Sequence, residues 1–209
     1  AIPSGFGRSR IRRNCGYTLL ATGFFWNFLN RSFSKLLQSS LVIHPINCFG
    51  SEEQKNKYLP DLIKGNLVGC FGLTESEAGS DPSSMKTNFK EENNYFVLNG
   101  SKSWITNAPI ADIFIIWAMN DNDEIQGFII EKNTEGLSTS LIANKTSLKI
   151  SPTGQIILNN VKIPKENILP KVQGWKSVFS CLNNARYGIA WGVMGAAQTA
   201  WLIVKDYSE

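Results

Sequence analysis

From Leu67 onward the chain becomes a series of short β-branched and aromatic runs: "LVGCFGLT", "YFVLNGSKSWIT", "DIFIIWAM", "GFIIEK" and "GQIILNNVKIP". Asn, Gly, Asp and Pro turns separate them, and no helical pattern lies between them. Strands spaced in this way predict an antiparallel barrel or sandwich covering about residues 67–172. Any function must be carried on the ends and loops of that β unit, or on what flanks it.

The flanks read as helices. In "SEEQKNKYLPDLIKG", Ser51 is placed to cap the N-terminus with Gln54 as its reciprocal partner, and Gly65 is a stop. Pro60 is expected to divide this stretch into two short helices. From Trp175 to the end the pattern is helical throughout, a rod of roughly 50 Å if continuous. Between Ile189 and Val204 only Gln198 and Thr199 are polar, and Gly188, Gly192 and Gly195 allow close approach of neighbours. A helix apolar nearly all round must be buried on most sides. Its partners are expected from other chains or from sequence beyond Glu209.

The composition is that of a folded protein, 43% hydrophobic and 11% aromatic over 209 residues. The net charge of +4 comes from one segment. Residues 1–51 hold Arg8, Arg10, Arg12, Arg13, Arg31 and Lys35 and no acid, whereas all 17 Asp and Glu follow. Such a distribution, without interleaved base-stacking motifs, argues against a nucleic-acid surface. The Arg- and Ser-bearing start has the composition of an organelle transit peptide, and equally that of a solvated basic terminus. "YTLLATGFFWNFL" (Tyr17–Leu29) is too short to span a bilayer unaided, and no membrane span is expected. Cys15, Cys48, Cys70 and Cys181 lack CxxC spacing, which suggests a reducing compartment rather than disulfides or zinc. With His44 the sole histidine, a metal site or a Ser–His triad is not expected; before Pro45 it reads as structural.

Three polar interruptions stand out against this background. "CFGLTESEAGSD" (Cys70–Asp81) leaves an apolar strand for small, hydroxyl-bearing and acidic residues, where backbone N–H groups and the Thr74 and Ser80 hydroxyls could cradle an anion or a ring edge. An ordinary turn has the same look. "SKSWITN" (Ser101–Asn107) alternates Trp104 with Thr106, a flat indole beside a hydroxyl donor, as a planar cofactor would need. A core tryptophan would read identically. In "CLNNARYGIAWG" (Cys181–Gly192), Asn183, Asn184 and Arg186 interrupt an apolar helix, and an arginine among buried residues calls for an anionic ligand or an acidic side chain.

Taken together and in this order, the three stretches resemble the acyl-CoA dehydrogenase family over about residues 39–209. "GLTESEAGSD" (Gly72–Asp81) is similar to its first signature and "WIT" (Trp104–Thr106) to its second flavin-contacting motif. "SSLVIHPI", "GSEEQKNKYLP", "CFGLTE" and "NNARYGIAWG" are similar to its glutaryl-CoA dehydrogenase branch. The resemblance implies an α+β chain: a poorly matching basic segment (1–38), the end of an N-terminal helical domain (39–66), a middle β-barrel (67–172) and the truncated start of a C-terminal four-helix bundle (173–209). It also implies FAD, an acyl-CoA substrate, electron-transfer flavoprotein as acceptor, a homotetramer and a mitochondrial-matrix location.

Carried over by position, Phe71, Gly72, Leu73, Thr74, Glu75, Ser80, Trp104, Ile105 and Thr106 would contact the flavin. Thr74 would donate to N1 or O2, Trp104 would pack on the ring and Thr106 would bond N5. For the acyl-CoA, the resemblance assigns Ser80 and the run Phe179, Ser180, Cys181, Leu182, Asn183, Asn184, Ala185 and Arg186. Arg31 and Ser32 resemble the pair that holds the glutaryl carboxylate, set one residue further from Gln38 than the family spacing. The family's catalytic glutamate would fall beyond Glu209, so no residue here is nominated as the base. The implied reaction is oxidative decarboxylation of glutaryl-CoA to crotonyl-CoA and CO2. Oxidation of another short or branched acyl-CoA, or non-catalytic binding of flavin or a CoA ester, stays open.

Overall fold

A computed structural model describes residues 37–209. The Arg31-Ser32 pair, Cys15 and the Tyr17–Leu29 stretch lie outside the described residues. The chain enters through a π-helical turn, Gln38–Ile43, that runs directly into helix α1 (His44–Phe49). Helix α2 (Glu52–Lys64) follows. Its capping box forms as expected: Gln54 N donates to Ser51 Oγ at 3.2 Å and Ser51 N donates to Gln54 Oε1 at 3.0 Å. Gly65 ends it in the left-handed region at φ 79°. Pro60 does not divide it, contrary to expectation. The carbonyl it leaves without a helical donor belongs to exposed Asn56, which water can satisfy, while Tyr58 and Leu62 bury the opposite face.

The β unit is a seven-stranded sheet: β1 (Gly69–Gly72), β2 (Asn88–Glu91), β3 (Tyr95–Thr106), β4 (Ile113–Met119), β5 (Ile125–Glu131), β6 (Leu137–Leu141) and β7 (Thr153–Pro164). The order is β1-β4-β2-β3-β7-β6, with β5 paired to β4. Most pairs are antiparallel, but β1 runs parallel to β4 and β2 meets β4 in parallel at one position. Strands β2 and β6 were not legible as strands because both are short and largely exposed.

Period 2 divides the core in two. On β4, Phe114, Ile116 and Ala118 face the inside of the curled sheet with Phe128, Ile130, Leu98 and Ile156. Ile113, Ile115 and Trp117 face the helices, packing with Phe71, Val42, Ile46, Leu62 and Val178. β4 is therefore buried on both faces. A Cβ on Gly69 would collide with the Val42 side chain, so glycine is what lets β1 lie against the entering helical turn.

Helix α3 (Trp175–Ser208) leaves this body after its first turns. Only Ser177, Val178 and Cys181 on it are buried. Trp191 and Trp201 are 67% and 66% exposed. It is the one described helix long and apolar enough to cross a membrane, a property shared by core helices of soluble proteins.

Candidate cofactor site

The structure brings the first two polar interruptions together at one end of the sheet. β1 ends at Gly72, and the chain turns outward through Leu73 and Thr74. Ser103 N donates to Thr74 O at 2.9 Å, which ties this exit to β3 just before Trp104. Ser76 Oγ lies 2.9 Å from Ser103 Oγ, a second tie. The register of β3 against β7 slips between Lys102 and Ile105, a bulge that re-aims the side chains within it. Trp104 sits in that bulge at φ 59°, a left-handed conformation that a bulky residue adopts only under constraint. Its indole is 63% exposed. Trp104 is therefore neither a core residue nor a regular strand partner of Thr106.

Thr74 and Thr106 are half-buried, and neither hydroxyl bonds to a described residue. An exposed aromatic face flanked by two uncommitted hydroxyls suits a planar, polar-edged ring. Other expected contacts lie differently. Phe71 packs on Trp117 at 6.0 Å between ring centroids, Leu73 is in the same core, and Ile105 faces the sheet interior. Their side chains lie in the two cores rather than on the open lip. A Cβ on Gly72 would come 2.5 Å from Ile116 Cδ1 and 3.3 Å from Lys102 Cγ, so a larger residue there would have to displace the end of the buried Ile116 side chain.

The Glu75 carboxylate points inward. It accepts from Lys102 Nζ at 2.9 Å, Lys86 N at 2.7 Å and Thr87 N at 3.0 Å. Burial pulls the Lys102 ammonium down to about 8, against the opposing pull of Glu75. Burial raises the Glu75 carboxyl, but the lysine and the backbone donors outweigh it and leave it below its ordinary value. Both groups are charged at neutral pH. Sequence reading passed over Lys102. Its signal was a lone lysine inside a strand beside an acidic strand exit, each charge needing a partner once buried.

Ser80 is exposed, and Asp81 turns onto its own loop by accepting from Ser83 N at 3.0 Å. On α3 the run from Phe179 to Arg186 divides by helical period. Cys181 is fully buried and Leu182 packs beside it; burial pushes the Cys181 thiol up to about 12. Ser180 Oγ lies 3.0 Å from His44 Nε2, and Asn184 Nδ2 approaches the same ring. Phe179, Asn183 and Arg186 share the exposed face, with Ala185 half-buried. Arg186 donates to Asn183 Oδ1 at 3.1 Å and makes no ion pair among the described residues. Within the described residues Arg186 is exposed and bonded to Asn183, so its positive charge is not balanced by an acidic side chain there. His44 packs edge-on against Phe49, and burial lowers its pKa, as a structural neutral imidazole.

The chain is similar to known proteins over most of its length. Residues 70–161 match the acyl-CoA dehydrogenase middle domain and residues 20–66 the acyl-CoA dehydrogenase N-terminal domain. A glutaryl-CoA dehydrogenase of Desulfococcus multivorans is 42% identical over 177 residues, covering 79% of this chain and 45% of that protein. The structure of a glutaryl-CoA dehydrogenase from Mycobacterium smegmatis in complex with FADH2 superposes with a TM-score of 0.75 at 44% identity, over 77% of this chain and 41% of the other. Butyryl-CoA dehydrogenase from Megasphaera elsdenii gives a TM-score of 0.77 at 36% identity, over 82% and 46%. The chain thus spans less than half the length of these relatives. With two consecutive domains of one family matched in order, and the fold shared at this level of identity, the chain belongs to the acyl-CoA dehydrogenases, an FAD-dependent family.

Proposed function

We propose that the lip formed by Thr74, Trp104 and Thr106 holds the isoalloxazine of FAD, and that the exposed face of α3 at Phe179, Asn183 and Arg186 borders an acyl-CoA. The observation that carries this reading is the Ser103 N–Thr74 O bond, which sets the exposed, left-handed Trp104 beside two uncommitted hydroxyls. Thr74 would donate to the pyrimidine edge of the ring, where negative charge develops on reduction. Trp104 would cover one face, and Thr106 would orient the ring from β3. Bound FAD would supply a hydride acceptor for the β-carbon of a thioester. Arg186 would pair with phosphate on the CoA.

Within the family we favour glutaryl-CoA as substrate, oxidised and decarboxylated to crotonyl-CoA and CO2. Support comes from the glutaryl-CoA dehydrogenases among the relatives, which stand beside short-chain enzymes of similar identity. The Arg31-Ser32 pair would hold the distal carboxylate. Electron-transfer flavoprotein as acceptor, a homotetramer and a mitochondrial-matrix location belong to the same reading. None of the acids in the lip is nominated to remove the α-proton: Glu75 is held by Lys102, Glu77 pairs with Lys86 on the surface and Asp81 accepts from Ser83 N. That favours, for these 209 residues alone, a flavin- or CoA-ester-binding role without turnover. Adding glutaryl-CoA and butyryl-CoA in turn to the FAD-loaded protein separates the readings. Bleaching of the visible flavin band by glutaryl-CoA supports the favoured substrate; bleaching by butyryl-CoA alone overturns it, and no bleaching by either supports binding without turnover.

A further inference from the structure

The contacts of a ring do not account for the most expensive feature of the lip. Lys102 has none of its side chain exposed, yet it lies on the strand that ends in Trp104 and Thr106. Its ammonium donates to Leu73 O at 3.1 Å and to Glu75 Oε1 at 2.9 Å, and lies 3.7 Å from Met85 Sδ. Glu75 passes the connection on to the backbone N–H groups of Lys86 and Thr87, at the entry to β2. One ion pair therefore touches three segments: the exit of β1, the bulged end of β3 and the approach to β2.

Stability is a poor reason for such a pair. Desolvating two charges costs several kcal/mol each, and well-packed apolar replacements of buried pairs are often neutral or stabilising. What the pair supplies is fixed geometry. The carbonyl it holds belongs to Leu73, one residue before the Thr74 hydroxyl. The backbone of the lysine lies two residues before Trp104, at the last paired position before the bulge. The Ser103 N–Thr74 O bond crosses the same gap and depends on both sides staying in place.

We propose that the Lys102–Glu75 pair consists of positioning residues that set the separation between Thr74 and the Trp104–Thr106 bulge, so that a planar ring is received without reorganisation. This rests on the flavin reading above and reassigns Glu75 from a ligand contact to a support. Three N–H donors already occupy its carboxylate from the protein side. A site ordered before binding loses less freedom when the ring enters, which is read as affinity.

The test compares the 209-residue chain with two variants, Lys102→Met and Ile163→Ala. Methionine removes the charge at similar length, while Glu75 keeps its two backbone donors. Ile163 is buried against Phe96 at the far end of β3, so its truncation lowers stability without touching the lip. Hydrogen exchange at the Ser103 amide and the dissociation constant for FAD are measured on all three. Lys102→Met is expected to speed Ser103 exchange and weaken FAD each by about tenfold or more beyond the Ile163→Ala control. Exchange and affinity indistinguishable from that control would overturn the proposal. If the unsubstituted chain takes up no FAD, the flavin reading fails, and the exchange comparison alone still decides whether the pair fixes the gap.

Discussion

Trp104 concentrates the conflict between folding and function in one residue. A large side chain at φ 59° costs on the order of 1 kcal/mol that glycine would not incur. Trp104→Gly should therefore raise the melting temperature of the ligand-free chain by a few degrees and weaken FAD binding at the same time; a fall in both would remove the argument from strain. Thr74→Val and Thr106→Val should each weaken FAD about fivefold, the worth of one hydrogen bond. Because neither hydroxyl has a partner among the described residues, melting temperatures should hardly change. These residues were legible as types in a pattern: a hydroxyl after a buried strand, an indole two positions before another hydroxyl. What they do with the backbone was not. Trp104 reads as half of a regular alternation, because a bulge leaves no trace in side-chain identity. Phe71, Leu73 and Ile105 were placed at the flavin by the family resemblance, which carries positions and not side-chain directions; their side chains lie in the two cores.

Elements were more legible where their signals are local. The Ser51–Gln54 box and Gly65 bound α2 as read, since both work through contacts within one turn. Pro60 misled because the cost of a missing helical donor depends on whether water reaches the orphaned carbonyl, which is a tertiary fact. The parallel pairing of β1 with β4 is likewise set by packing rather than by any run of residues. The contact between α1 and α3 carries a prediction of its own. Half-buried beside Ser180 and Asn184, His44 has a pKa below its ordinary value of about 6.5. Between the folded value and about 6.5 the unfolded chain binds more protons, so this stabilisation is complete above that window and lost as pH falls through it. Amide protection over Ser177–Cys181, referenced to the intrinsic exchange rate at each pH, should fall between pH 7 and pH 5, and His44→Gln should remove that fall. Unchanged protection in the unsubstituted chain would show that the imidazole is already well solvated.

At the scale of the whole molecule, the sheet and first two helices close around two cores, and α3 does not. Trp191, Met194, Trp201 and Val204 are each more than half exposed, a continuous apolar surface far from ordinary for an isolated soluble chain. That need for partners was legible from composition alone, because no polar face exists on which water could end the helix. On its own the chain should self-associate in gel filtration, and Trp191→Lys with Trp201→Lys should shift it toward the monomer. A monodisperse unsubstituted chain would mean that this surface is covered in some other way. The central claim, that the β1 exit and the β3 bulge form a flavin site, is tested most directly by titrating FAD into the solubilised chain while following the visible flavin spectrum. The account predicts saturable binding with a perturbed flavin band, weakened by Thr74→Val and by Thr106→Val. A spectrum of free flavin throughout, or binding indifferent to both substitutions, would contradict it.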